Sequence, residues 1–241
     1  VVRGGCEEIH QSADRLPNLQ QKRVDGLYFG GGTANLTPAP AFERLCRVLG
    51  SHFDFSQAEA TLEGVPRYFS KGDYELLRIM MDHLPARHHR VSMGVQSFDV
   101  DYIKMMGRQA FGDFKDISAV IGFAHEMEMT VSLDLLINLP GQTPSQILSD
   151  IELAIKTGAD QICIYHLVLF ERLGTEWSKN CRLLRALPKQ SQCFRNWIMA
   201  RNALLSAGFE QTTLTNFERS AIARSGRRFV YEPLSFTTDQ Y

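Results

Sequence analysis

Two hydrophobic periods alternate along the chain. Val24, Leu27, Tyr28 and Phe29 form a short apolar run that predicts a buried strand over 24–30, ended abruptly by Gly30-Gly31-Gly32-Thr33. Phe42, Leu45, Val48 and Leu49 recur at helical spacing and predict a helix from Pro38 to Leu49, with Gly50 as its stop. A strand over Ala58–Gly64 follows, then a helix capped by Asp73 that carries Leu76, Leu77, Met80 and Met81. Arg90–Ser97 predicts another strand, and 99–106 a short helix leading to Gly107-Arg108-Gln109. Asp113–Met127 places Ile117, Val120, Ile121 and Ala124 on one helical face. Thr130–Leu139 is the most apolar strand, and Thr143-Pro144 opens a helix to about Thr157. The pattern ends with a strand over Gln161–Phe170, a long helix over Leu187–Ala207 and a last strand over Phe209–Leu214, before an irregular basic tail. Residues 1–23 are polar, show no clear period, and read as a connecting segment.

Strand and helix alternate at the spacing of βαβ units, which predicts an α/β fold with a parallel sheet curling towards a full or partial barrel. The unexpected polar residues fall at strand ends: Gly30–Thr33, Glu63, Gln96 with Ser97, Asp134, and Tyr165 with His166. In parallel α/β folds ligands bind at those carboxyl ends, so all of these converge on one face. Gly30, Gly31 and Gly32 let backbone approach a ligand, and Thr33 adds a hydroxyl. The spacing fits neither a dinucleotide fingerprint nor a P-loop, and a plain tight turn is the alternative. Asp134 interrupts Val131-Ser132-Leu133 and Leu135-Leu136-Ile137, which requires hydrogen-bond partners or a ligand. Glu63 and Gln96 also read as solvated strand ends, and Arg108 as a surface cation or a carboxylate-binding guanidinium.

Composition narrows the function only by exclusion. The 241 residues are 44% hydrophobic with a net charge of −1, so nothing calls for nucleic acid or a membrane surface. The five cysteines (Cys6, Cys46, Cys163, Cys181, Cys193) are scattered without Cys-x-x-Cys spacing, which suits reduced thiols and a cytoplasmic setting and gives no metal motif. His88 and His89 read as solvated residues of a polar turn, and Arg219, Arg224, Arg227 and Arg228 as a loop surface.

Taken together, Tyr28–Thr33, Leu62-Glu63-Gly64, Val91–Asp99, Gly107-Arg108-Gln109 and Asp134–Thr143 resemble the HemN/HemW-like radical S-adenosylmethionine (SAM) enzymes, over roughly residues 24–215. That resemblance implies an incomplete (β/α)6 barrel. It also implies a [4Fe-4S] cluster that reductively cleaves SAM to a 5′-deoxyadenosyl radical. By the resemblance, Gly31, Gly32 and Thr33 lie against the methionyl part of SAM, with Gly30 in the same cofactor-binding turn, while Glu63, Gln96, Arg108 and Asp134 hold its polar groups and ribose.

Two departures qualify it. The family's Cys-x-x-x-Cys-x-x-Cys would precede Val24, where Cys6 stands alone, so the first strand and cluster loop are expected to be missing from this chain. Gln211–Phe217 replaces a Tyr-Glu-Ile-Ser-Asn-Phe-like run, and Asn138 replaces the glycine before Leu-Pro. These changes resemble the natural-product methylases and cyclopropanases of the family, which use a second SAM to modify an sp² carbon. An oxygen-independent coproporphyrinogen III oxidase or heme-handling relative is the alternative. A SAM- or heme-binding protein without the cluster is the reading from another class. The resemblance implies a small-molecule substrate and an electron donor such as flavodoxin or ferredoxin. It divides the chain into a connecting segment (1–23), the partial barrel (24–215) and the start of a substrate-covering region (216–241).

Overall fold

The computed structural model describes residues 2–16 and 22–236. Its strands are β1 (Lys22–Arg23), β2 (Gly26–Phe29), β3 (Phe53–Asp54), β4 (Glu59–Gly64), β5 (His88–Gln96), β6 (Thr130–Ile137), β7 (Gln161–His166), β8 (Phe209–Gln211) and β9 (Asn216–Arg219). Between them run α1 (Val2–Arg15), α2 (Ala39–His52), α3 (Pro66–Phe69), α4 (Glu75–His83), α5 (Val100–Met105) and α6 (Phe114–Glu126). The remaining helices are α7 (Pro144–Lys156), α8 (Cys181–Arg185), α9 (Gln190–Ser206), α10 (Ser220–Ala223) and α11 (Tyr231–Phe236). None of the described helices is long and apolar enough to cross a membrane.

The main sheet has the order β2-β4-β5-β6-β7-β9-β8. Its first five strands are parallel, joined by helical crossovers, and β9 turns the edge antiparallel against both β7 and β8. Among the described residues β2 and β8 do not pair, so the sheet is open; it resembles a radical SAM barrel and is not parallel throughout. Period two sorts the side chains into two faces. Leu62, Val91, Met93, Val131, Leu133, Leu135, Ile162 and Ile164 point outward and are buried with Leu77, Ile117, Ile121 and Ile151 of the helices. The inner face is polar: Glu59, Thr61 and Glu63 on β4, Arg90 and Ser92 on β5, Ser132 and Asp134 on β6.

Helix starts are marked by side chains that satisfy free backbone N–H groups. Asp113 and Asp116 form a capping box at α6, Thr143 and Gln146 another at α7, and Asp99 caps α5.

Several expectations are corrected. Residues 2–15 form a helix rather than a connecting segment, because Val2, Cys6, Ile9 and Ala13 recur on one face and Cys6 and Ala13 are buried. Asp73 is not the cap of α4: Tyr74 precedes Glu75 in a left-handed conformation, and the Asp73 carboxylate takes Arg78 instead. β7 ends at His166, and the strand proposed over Phe209–Leu214 stops at Gln211 and turns into a hairpin. The long helix begins at Gln190. His88 and His89 lie on β5 rather than in a solvated turn; His88 is buried 3.6 Å from Glu59, and His89 Nε2 bonds the Leu84 carbonyl. Residues 1 and 17–21 of the first proposed segment and 237–241 of the last lie outside the described residues.

Candidate functional site

The parallel register sets the positions of the strand-end residues. Phe29 pairs with Leu62, so Gly30 is level with Glu63, and Gly94 pairs with Asp134. At Gly30 a Cβ would fall 2.7 Å from Glu63 Oε2 and against the Tyr28 ring, so a side chain there would displace the Glu63 carboxylate and the Tyr28 ring from their present positions. Gly31 and Gly32 adopt φ of 85° and 63°, and a Cβ at either would meet nothing within 4 Å. Their backbone therefore faces open space.

A β-bulge aims Gln96. The register shifts between Gly94 and Gln96, and Gln96 takes φ 72°, a left-handed conformation costly for a side chain. The bulge returns the Gln96 amide to the Gly94 face, where its Nε2 would lie 3.0 Å from a Cβ on Gly94. Arg108 reaches the same place from the turn after α5: its Nη2 donates to the Gly94 carbonyl at 2.7 Å, and its guanidinium stacks over Phe111 at 4.6 Å. Burial lowers the Arg108 pKa from the ordinary guanidinium value. Next along the chain, Ser97 serves the fold: its hydroxyl donates to buried Asp150, which also accepts from the Phe98 N–H.

Tyr28, which the sequence offers only as an apolar strand residue and as the start of the glycine motif, also reaches this polar cluster through its hydroxyl. Its hydroxyl bonds Ser92, and burial together with the nearby carboxylates of Glu63 and Asp134 pushes its pKa well above the ordinary phenol value. Asn35 also escaped the sequence reading. Buried just after the glycine turn, it donates to the Val65 carbonyl at 2.9 Å and accepts from the Val65 N–H at 3.1 Å. Deeper in the sheet lies a charged layer that the sequence reading missed altogether. Glu59 accepts from Arg90 at 3.2 Å and from the Val230 N–H at 2.8 Å. Arg90 also donates to Ser132 and Gln161 and stacks on Phe229.

The donor set of the upper layer suits SAM: carboxylates for an ammonium and ribose hydroxyls, a guanidinium for a carboxylate, and open glycine backbone beside them. It does not suit a cluster. Among the described residues no three His, Cys, Asp or Glu side chains group to hold a metal ion, and Cys6, Cys46 and Cys163 are buried separately on α1, α2 and β7.

No family profile matches the chain. It is 29% identical over 155 residues to the oxygen-independent coproporphyrinogen III oxidase of Escherichia coli (strain K12), covering 63% of this chain and 32% of that protein. It is 24% identical over 215 residues to the heme chaperone HemW of Lactococcus lactis, covering 87% of this chain and 53% of that one. The chain thus spans about a third to a half of the length of these curated relatives. Among solved structures, the coproporphyrinogen III oxidase (HemN) from Escherichia coli superposes with a TM-score of 0.71 at 22% identity, covering 90% of this chain and 51% of that chain. Sequence relationship and fold together make the chain a relative of the HemN/HemW-like radical SAM family.

Proposed function

We propose that this chain is the SAM-binding partial barrel of a HemN/HemW-like protein that works in oxygen-independent porphyrinogen oxidation or heme handling. One observation carries the SAM reading. Glu63, Gln96, Arg108 and Asp134 occupy the same end of the inner face, beside a glycine turn whose backbone faces open space. In this reading Arg108 receives the methionyl carboxylate, Asp134 accepts from the ribose hydroxyls, and Glu63 accepts from the ammonium. Gly31 and Gly32 admit the methionyl chain, and Thr33 supplies a donor at the turn. Bound SAM brings a sulfonium centre whose carbon–sulfur bond is the reactive element. The protein's own part is to orient that centre at the strand ends and to balance its charges.

The choice of tetrapyrrole chemistry rests on the relatives, which are porphyrinogen oxidases and heme chaperones. Methylation or cyclopropanation of an sp² carbon with a second SAM stands behind it.

Titration calorimetry with SAM on wild type and Asp134→Asn tests the site. Loss of a charge-assisted hydrogen bond of about 1.5–3 kcal/mol would weaken SAM roughly ten- to a hundred-fold with an unchanged melting temperature. A several-degree drop in melting temperature with normal SAM affinity would assign Asp134 to the fold and overturn its ligand role.

A further inference from the structure

Behind the sheet, on the face opposite Asp134, lies a cavity of about 840 Å³. Asp134 pairs with Cys163, so Cys163 and Tyr165 share the inner face, while Ile164 and His166 project to the other side. Ile164 and His166 line the cavity with Leu187, Phe194 and Trp197, across from the loop that carries Val168. Its volume lies within the range of small-molecule sites, about 300–1,000 Å³, and its walls are mainly apolar. Val168 and Phe194 are 65% and 64% exposed, an unusual state for large apolar side chains grouped on one surface.

A directional chain of hydrogen bonds sets the polar group in this wall. Arg195, which can only donate, bonds Gln192 Oε1 at 2.8 Å, so the Gln192 amide nitrogen faces away and donates to Asn196 Oδ1 at 2.7 Å. Asn196 Nδ2 then donates to Asn138 Oδ1 at 2.7 Å, which leaves Asn138 Nδ2 directed at His166 Nδ1, 3.1 Å away. The Cys193 carbonyl, 3.5 Å from the same nitrogen, fixes this orientation from the other end, because a carbonyl only accepts. Asn138 and Asn196 are 1% and 2% exposed, and Asn138 holds φ 65° to reach this place. Since Nδ1 accepts, the neutral ring carries its proton on Nε2, and that N–H has no partner among the described residues. His166 is exposed at the end of β7, and partial desolvation on its cavity side lowers its pKa from the ordinary value, which favours this neutral form.

We propose that this cavity is a second ligand site, separate from the strand-end face, for a flat apolar molecule whose carboxylate or carbonyl oxygen accepts from His166 Nε2. Three observations carry it: the volume, the apolar and aromatic wall, and a histidine whose tautomer is set by four aligned hydrogen bonds. The site stands whether or not the inner face binds SAM.

The probe is 2-naphthoate, read by Trp197 fluorescence in a Trp177→Phe background, with 2-naphthylmethylammonium as a shape-matched control that lacks an acceptor. Saturable quenching by 2-naphthoate is expected, weakened about tenfold or more in His166→Phe, as for loss of a hydrogen bond to a charged group. The ammonium compound should bind at least tenfold more weakly than 2-naphthoate. Independently of any ligand, ¹⁵N chemical shifts of His166 at neutral pH should report the Nε2–H tautomer, and Asn138→Ala should redistribute it. Absent quenching, equal affinity in His166→Phe, tighter binding of the ammonium compound, or an Nδ1–H tautomer in the wild type would each overturn the proposal.

Discussion

Gly31 and Gly32 take left-handed φ values with empty space where side chains would stand, so two separate effects of substitution can be distinguished. Any side chain at Gly31 brings backbone strain of about 1–2 kcal/mol. Only a bulky one also obstructs a ligand at the turn. Gly31→Ala and Gly31→Leu, neither of them β-branched, should therefore lose similar stability in urea unfolding, while calorimetry shows SAM affinity falling further in the leucine variant. Equal SAM affinity in both variants and the wild type would remove the glycine turn from the methionyl site. At this scale the sequence was readable where a residue broke a pattern, although the pattern itself was misjudged at Asp134. It reads as an intrusion into an apolar run, but Thr130, Ser132 and Asp134 form one polar register alternating with Val131, Leu133 and Leu135. The charged layer around Glu59, His88 and Arg90 was hidden for a related reason. Charges near a strand start look solvated unless the partners that bury them, from distant parts of the chain, are known.

Elements are placed by a few side chains that join neighbours, and Asn35 is the clearest. It bonds both backbone groups of Val65, and a Cβ on Gly64 would collide with its amide. The glycine turn after β2 is thereby locked to the end of β4, next to Glu63. Asn35→Ala would orphan a buried N–H and a buried C=O, at about 1–3 kcal/mol for each group left unsatisfied. Both Asn35→Ala and Gly64→Ala should lower the urea midpoint and weaken SAM together, since the turn and Glu63 lose their common anchor. A Gly64→Ala variant as stable as wild type would show that this contact does not hold the elements. The parallel core was legible at this scale because long helices and strands of clear period dominate it. The edges were not. In α1 the apolar stripe rests on Cys6 and Ala13, whose small side chains give a weak signal. At β8 and β9 the hairpin turn falls inside a run of Thr residues that reads equally well as a continuing strand.

Across the whole molecule, the inner face divides into an upper layer of polar groups at the strand ends and a lower layer closed by residues 229–231. Phe229 stacks on Arg90, the Val230 N–H bonds Glu59, and Tyr231 stacks on Tyr28 with ring centroids 4.5 Å apart. Residues 229–231 thus fasten to strands more than a hundred residues earlier, through a layer that contains His88. Burial is the largest influence on that imidazole and lowers its pKa; Arg227, Arg90 and His89 push the same way, while Glu59 opposes them. A histidine whose folded pKa lies below its unfolded value of about 6.5 binds fewer protons in the native state, so stability rises with pH through that window and is lost as pH falls. His89 is lowered by burial as well and adds to the same slope. His166, lowered at the far face of the sheet, contributes in the same direction, so urea midpoints should decline as pH falls from 7.5 to 5.5, and His88→Gln should flatten the decline by removing one of the three histidines. The loss should show first as increased proteolysis after Arg227 and Arg228, because charging His88 disturbs the carboxylate that holds Val230. An unchanged pH slope in His88→Gln would place the acid sensitivity outside this layer.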